Sequence, residues 1–346
     1  MKVTPEQLGA RYLPADPAAR PTLCVVVDTE EEFDWDAPFS RQNTRVRAIE
    51  QLPVAQAVFR RYGVVPTYVV DFPVAADANA TGMLRSLLAS GECAIGAHLH
   101  PWVTPPFLER LSAANSFSCN LGVLQEAKLQ RLKERITESF GRAPRVYKAG
   151  RYGFDRTTVR VLQKLQFGID VSVCPHMTFE ASGGPSFTAF DARPFALGRD
   201  AALLELPCTA GFTGIAGSAR RALRALAEHP RAARLHLAGA LSRARITDRV
   251  MLSPEGHSLA EMCRLTRTLL AEGLRTFTLS FHSPSLEPGH TPYVRDRAGL
   301  QRFIATLDRY LEFFLTAADG VTCTLEEFRD RTFSHRPRRI AAGLVH

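Results

Sequence analysis

Short runs of consecutive apolar, often β-branched residues alternate along the chain with longer stretches whose apolar positions recur every three or four residues. The first pattern predicts strands buried on both faces and the second predicts amphipathic helices, so their alternation predicts βα units around a parallel sheet. Strands are predicted at Thr22 to Asp28, Val65 to Asp71, Glu92 to Leu99, Arg145 to Ala149, Gly168 to Cys174, Leu203 to Pro207, Thr276 to His282 and Val321 to Leu325. Helices are predicted at Arg45 to Tyr62, Gln125 to Phe140, Arg156 to Gln166, Leu259 to Glu272 and Gly299 to Thr316. Seven or eight such units in about 310 residues suit an α/β barrel better than an open sheet. An Arg-rich stretch at about 212–252 interrupts the rhythm and reads as a helical insertion, not a separate domain. Residues 1–346 are thus read as one barrel domain with its core at about 20–330 and with peripheral tails at 1–20 and 334–346.

Composition narrows the class without naming a function. With 346 residues, 45% of them hydrophobic and 23% charged, the chain is ordinary globular protein and not disordered, collagen-like or fibrous. No run reaches the roughly 18 apolar residues of a membrane helix, and the N-terminus lacks the apolar core of a secretory signal, so the expected compartment is the cytoplasm. The seven cysteines are odd in number, scattered and without a Cys-x-x-Cys pair, which speaks against a disulfide framework or a cysteine zinc site. The net charge of +8 hints at nucleic acid until its distribution is examined. Between Ala219 and Arg249 eight arginines face two acids, a local excess of +6, so the remainder is nearly neutral and nucleic-acid binding is not expected. The basic segment is either a solvated face or a patch for an anionic substrate carrier or lipid surface.

Chemistry collects where strands end, because in a parallel barrel the loops there converge on one mouth. The first strand runs from LCVVV into Asp28, Glu30, Glu31, Glu32 and Asp34, and a period of two places Asp28 and Glu30 on one face. The third ends in His98 and His100, again two apart. Two imidazoles and a carboxylate make a three-ligand metal set with a position left for water and substrate. The seventh strand delivers His282, followed by Ser283, Glu287 and His290; His282 could serve as general acid or as a fourth ligand. Arg151 in KAGRYGFD could hold an acid or a substrate oxygen by its planar fork, and Asp170 is a possible orienting partner for Arg151 or a ligand histidine. Trp35, Trp102, Phe107 and Tyr293 fall in mouth loops where a sugar ring could stack.

In this order DTEEEFDW, GAHLHPW with TPP following, KAGRYG and FHSPSLEPG resemble the polysaccharide deacetylase, or NodB-homology, family of carbohydrate esterases, especially its WalW-type subgroup, over about residues 20–330. The resemblance implies a distorted (β/α)7 barrel, a divalent metal, commonly zinc, and removal of acetyl groups from an amino sugar or acetylated glycan. It implies Asp28 as catalytic base, Glu30, His98 and His100 as metal ligands, Arg151 as the arginine that orients the base, and His282 as general acid. Trp35, Trp102, Tyr152, Glu287 and His290 are the expected substrate-binding residues, with a backbone N–H near Tyr152 as a candidate oxyanion donor. Three departures stand out: the usual adjacent acids are spread to Asp28-Thr29-Glu30, which leaves base and ligand open to exchange; the histidines are two apart instead of four; and an Asp-Trp motif after the fifth strand is missing. The same residues would serve a cyclic amide or an acetylated polyamine, and an inactive carbohydrate-binding barrel is the reading from a different class. A cytosolic nucleotide- or lipid-linked sugar is the expected substrate carrier, with the oligomeric state open.

Overall fold

The computed structural model describes residues 2–198, 202–216, 219, 223, 226 and 247–334. Its strands are β1 (Arg11–Tyr12), β2 (Thr22–Thr29), β3 (Thr67–Val70), β4 (Ala94–Leu99), β5 (Val146–Ala149), β6 (Ile169–Asp170), β7 (Phe195–Leu197), β8 (Leu203–Glu205), β9 (Ala210–Thr213), β10 (Asp248–Met251), β11 (Thr276–His282) and β12 (Val321–Thr322). The main sheet runs β1-β7-β8-β6-β5-β4-β3-β2-β11, with β12 beside the start of β2. From β8 to β11 every pairing is parallel, whereas β7 and β1 join antiparallel at one edge.

The barrel is distorted because β8 and β11 do not pair directly among the described residues. The antiparallel β9–β10 ribbon bridges the gap. Thr278 N donates to Thr209 Oγ1 (2.8 Å) and Ser280 N donates to Leu252 O (3.2 Å), so backbone donors that would otherwise lack partners are satisfied. The ends of the Arg-rich segment are therefore strands, not helix as expected. Its interior, where helix is expected, lies largely outside the described residues.

Helices cover the outside: α1 (Pro5–Leu8), α2 (Leu52–Arg61), α3 (Phe72–Ala76), α4 (Ala78–Ala89), α5 (Val123–Phe140), α6 (Arg156–Lys164), α7 (Leu259–Ala271), α8 (Arg297–Leu315) and α9 (Leu325–Ser334). None of the described helices is long and apolar enough to cross a membrane. Side chains start several of them: Asp71 accepts from Val74 N (2.8 Å), Asp77 from Ala80 N (2.8 Å), and Asp155 and Ser258 form capping boxes. Asp71 and Asp77 thus explain two short helices at 72–89 that the hydrophobic pattern leaves unassigned.

Alternation along the strands divides the apolar residues into two cores. Leu23, Val25, Val27, Tyr68, Tyr147 and Leu279 face outward into the helix layer. Cys24, Val26, Val69, Val146, Ile169 and Leu204 fill the barrel, closed at its lower end by Cys323 and Leu325. Both faces are covered, which is why β2 reads as an unbroken apolar run. Gly96 belongs to the inner face, where an added Cβ would lie 2.8 Å from Val69 Cγ1.

Two expectations need correction. Residues 1–20 are not simply peripheral: Val3 and Leu8 are buried, and β1 extends the sheet by pairing with β7. The fifth strand is far shorter than Gly168 to Cys174. Asp170 turns its carboxylate onto Ser172 N (3.1 Å) and Ser172 Oγ (2.7 Å), diverting the chain just beyond β6. All seven cysteines are free and buried, in keeping with the composition.

The barrel interior makes a direct prediction. Leu204→Ala should lower unfolding stability by about 2–5 kcal/mol, since a closed strand layer cannot collapse around the lost methyls. Urea denaturation followed by circular dichroism measures it, and a loss below 1 kcal/mol, on the order of an exposed-site change, would contradict a packed interior.

Candidate active site

The inward parity that buries Cys24 and Val26 continues to Asp28, and the same parity delivers Val146 then Lys148, and Thr278, Ser280 then His282. In register, His282 lies beside Asp28 and His98 beside Lys148. Four polar side chains therefore form the layer above the apolar filling. Glu30 and His100 rise one step further.

Glu30, His98 and His100 converge. Glu30 Oε2 is 3.2 Å from His98 Nε2 and 3.4 Å from His100 Nε2, while Glu30 Oε1 is buried without a hydrogen-bond partner. The far ring nitrogens are both engaged: His98 Nδ1 lies 3.1 Å from Lys148 O, and His100 Nδ1 lies 2.7 Å from Glu31 Oε2. The Lys148 carbonyl can only accept, so it holds His98 Nδ1 as the donor and leaves the His98 Nε2 lone pair facing Glu30; His100 presents its Nε2 lone pair likewise when Glu31 accepts from its Nδ1. Burial pushes both imidazoles below their ordinary value, His100 to about 4, so both rings are neutral at pH 7. Two neutral Nε2 atoms and a carboxylate with one unpartnered oxygen are the donor set a divalent cation requires.

Support for His100 is unusually complete. Glu31 also accepts from Trp102 Nε1 (2.7 Å), its backbone N donates to Asp71 Oδ2 (2.7 Å), and the Trp102 ring stacks on His100 at 4.2 Å between centroids. Burial raises the Glu31 carboxyl to about 8 and, together with Glu31, lifts Asp71 well above the ordinary carboxylate range. Gly150 passes directly under the ring, and any Cβ there would overlap His100. Below, Lys128 Nζ donates to Pro101 O (2.9 Å) and Thr104 O (2.6 Å), pinning the loop that follows the histidines.

Asp28 is held differently. Lys148 Nζ donates to both of its oxygens at 2.7 Å, and His282 Nε2 stands 3.6 Å from Oδ2. Burial works to raise the Asp28 carboxyl, but the charges of Lys148 and His282 and the hydrogen bonds from Lys148 outweigh it and hold it below its ordinary value. His282 is in turn gripped by Glu255, whose Oε1 accepts from His282 N (3.1 Å) and whose Oε2 faces Nδ1 (2.8 Å). Burial pushes the imidazole down, but Glu255, Glu30 and Asp28 together raise it to about 10. His282 keeps 19% of its side chain exposed, against 4% or less for Asp28, Lys148, Glu30, His98 and His100, so solvent reaches the layer from the His282 side.

Several expected residues stand elsewhere. Arg151 does not reach Asp28: its Nη1 donates to Ser116 Oγ (2.6 Å), and Lys148 occupies the place expected of it. Trp102 is 1% exposed behind His100 and cannot meet a substrate. Asp170 faces Ser172 and Glu205 on the outer side of the sheet, away from Arg151 and the histidines. Tyr152 is half-buried, stacked on Phe179 at 5.2 Å with Lys148 Nζ over its ring. Glu287 and His290 pair at 3.5 Å outside the layer. With Glu32 they form a further acidic group, but the Arg45 guanidinium, 3.1 Å from Glu32, already balances its charge. His290 and Trp35 line a cleft of about 580 Å³, and Trp35 packs edge-on against His282 at 5.0 Å.

Sequence reasoning missed Lys148, Glu31, Asp71 and Glu255. Lys148 had a signal, a cation inside the apolar VYKA strand at inward parity, and Asp71 ends a strand just as Asp28 does. For Glu255, in the loop after β10, no local pattern points to His282.

No family model and no curated protein matches the sequence. Solved structures do. The chain is similar in fold to a putative polysaccharide deacetylase from Mycobacterium smegmatis, with 15% identity, coverage of 97% of this chain and 100% of that one, and a TM-score of 0.50. A probable polysaccharide deacetylase from Pseudomonas aeruginosa gives 15% identity, 93% and 94% coverage and a TM-score of 0.52. A Puue allantoinase gives 13%, 94% and 95%, and 0.54. The barrel is thus the distorted α/β barrel of the polysaccharide deacetylase structures.

Removal of the Lys148 charge tests the electrostatics. Lys148→Met should destabilise the metal-free protein by about 3 kcal/mol because buried Asp28 loses its hydrogen-bonded cation and keeps only His282, 3.6 Å away. The double variant with Asp28→Asn should recover much of that loss, as chemical denaturation would report; simple additivity would contradict the pairing.

Proposed function

We propose that the chain is a metal-dependent hydrolase that removes an acetyl group from an amino sugar or acetylated glycan, of the WalW type its motifs resemble. The observation that carries the reading is the separation of the two strand-end acids: Glu30 faces the paired His98 and His100, while Asp28 faces Lys148 and His282. Glu30, His98 and His100 would hold the ion, with zinc the best match to two imidazoles and a carboxylate. Such an ion supplies Lewis acidity toward the acyl oxygen and the attacking water.

Asp28, kept ionised by Lys148, takes the proton of the attacking water. Lys148 also fixes both carboxylate oxygens, so the base meets the water in one orientation. His282, kept protonated by Glu255, gives its proton to the departing amine or alkoxide. The turn Gly150–Tyr152, which lies against His100, supplies the candidate backbone donor for the oxyanion. Trp35, which packs on His282, and His290, which pairs with Glu287, line the cleft where sugar rings would lie.

Hydrolysis of a cyclic amide is the second reading. It uses the same residues, and an allantoinase has the same fold. Turnover of acetylated sugars against cyclic amides separates the two.

Metal content and turnover should part company by residue. His98→Ala or His100→Ala should lose bound zinc and activity together, whereas Asp28→Asn should retain the zinc and lose about 10²–10⁴-fold in kcat. Loss of zinc from Asp28→Asn, read by elemental analysis, would exchange the roles of the two acids. The alkaline limb of kcat/KM gives an independent check. The acid form of His282 is lost as pH rises through its raised pKa of about 10, so Glu255→Gln, which removes the charge that raises it, should move that limb toward lower pH. An unmoved limb would remove His282 from the acid role.

A further inference from the structure

Arg151 is released from the base-orienting task by Lys148, yet it is built into the mouth with care. Its Nη1 donates to Ser116 Oγ at 2.6 Å, and Ser116 is itself buried and donates onward to Ala113 O at 2.6 Å. The guanidinium lies over the Phe117 ring at 4.4 Å and over the Phe39 ring at 5.1 Å. Phe39 packs on Trp102 at 4.4 Å, and Trp102 on His100, so Arg151 is part of the aromatic wall that carries the metal-ligand set. Its backbone is left-handed, with φ of 52°, and Tyr152 follows at 60°. Two consecutive non-glycine residues in that region are costly and persist only where the surroundings impose them.

No carboxylate among the described residues comes within ion-pair distance of this half-buried guanidinium. Arg45, by contrast, is paired with Glu32. A cation that is partly desolvated, immobilised by a hydroxyl and two rings, and left without an anion is a receptor waiting for one.

Resting on the deacetylase reading, we propose that Arg151 is a specificity-determining residue that receives an oxyanion, a carboxylate or a phosphate, on the acetylated substrate. A planar fork with Nη1 anchored on the protein leaves its remaining N–H groups for bidentate contact. Neutral acetylated sugars would lack this contact and bind more weakly.

Two arms test the inference. In zinc-loaded protein, the kcat/KM on N-acetylglucosamine 6-phosphate or N-acetylmuramic acid should exceed that on N-acetylglucosamine by about ten-fold or more, and Arg151→Gln should collapse the ratio mainly through KM while zinc content is kept. Preference for the phosphate or for the carboxylate identifies the source of the anion. In metal-free protein, calorimetry with inorganic phosphate should show a single site that Arg151→Gln abolishes and Arg151→Lys restores in part; this outcome supports the anion site even where no sugar is hydrolysed. An unchanged selectivity ratio and unchanged phosphate binding in Arg151→Gln would overturn the inference. So would equal losses on neutral and anionic substrates, since they mark a purely structural arginine.

Discussion

The buried ion pair of Lys148 with Asp28 is the interaction on which the site depends. Asp28, His98 and His282 share one largely buried layer with Glu30 one step above, and two acids so close cannot both ionise cheaply without a compensating cation. Lys148 supplies that charge from the next inward position of β5 and binds both oxygens of one acid only. The asymmetry decides the chemistry: the acid bound by lysine stays ionised, and the other, raised by burial, keeps an oxygen open beside two neutral imidazoles. A lysine that merely neutralised the layer evenly would leave no reason for the two acids to differ.

Geometry follows from strand parity. Inward residues that begin as Cys24, Val26, Val69, Val146 and Leu204 fill the barrel, and one step further up the same faces present Asp28 and Lys148. The apolar filling beneath denies water to the ion pair and makes each charge count for more. Outward residues of the same strands anchor the helices, so the site rests on the strands and on residues that directly follow them, such as Glu30 and His100, while Glu255 and the aromatic wall come from loops.

How much of this was legible is clearest residue by residue. Period-two patterning was enough to expect Asp28 with Glu30 on one face and His98 with His100 on another, since a strand fixes side-chain direction from sequence alone. It was also enough for alternating strands and helices around a parallel sheet, because doubly covered strands and amphipathic helices have different periods; the barrel itself came from the number of such units and the family resemblance. Arg151 was misjudged because a fork-shaped cation next to a strand end looks like the partner of an acid, whereas strand parity favours Lys148, three residues earlier. Trp102 was misjudged because position in a mouth loop says nothing about which way a ring turns; its indole N–H went to Glu31 and its face to His100. Glu255 was invisible, as its partnership with His282 is made through space across 27 residues. The N-terminal tail was underrated for the same reason, since β1 pairs only with distant β7.

Zinc K-edge X-ray absorption on the loaded protein reads the ligand atoms themselves. Two imidazoles at about 2.0–2.1 Å with oxygen ligands at about 2.0–2.2 Å are expected, and the same spectrum in Asp28→Asn. A sulfur ligand, a single imidazole, or a changed first shell in Asp28→Asn would contradict that ligand set.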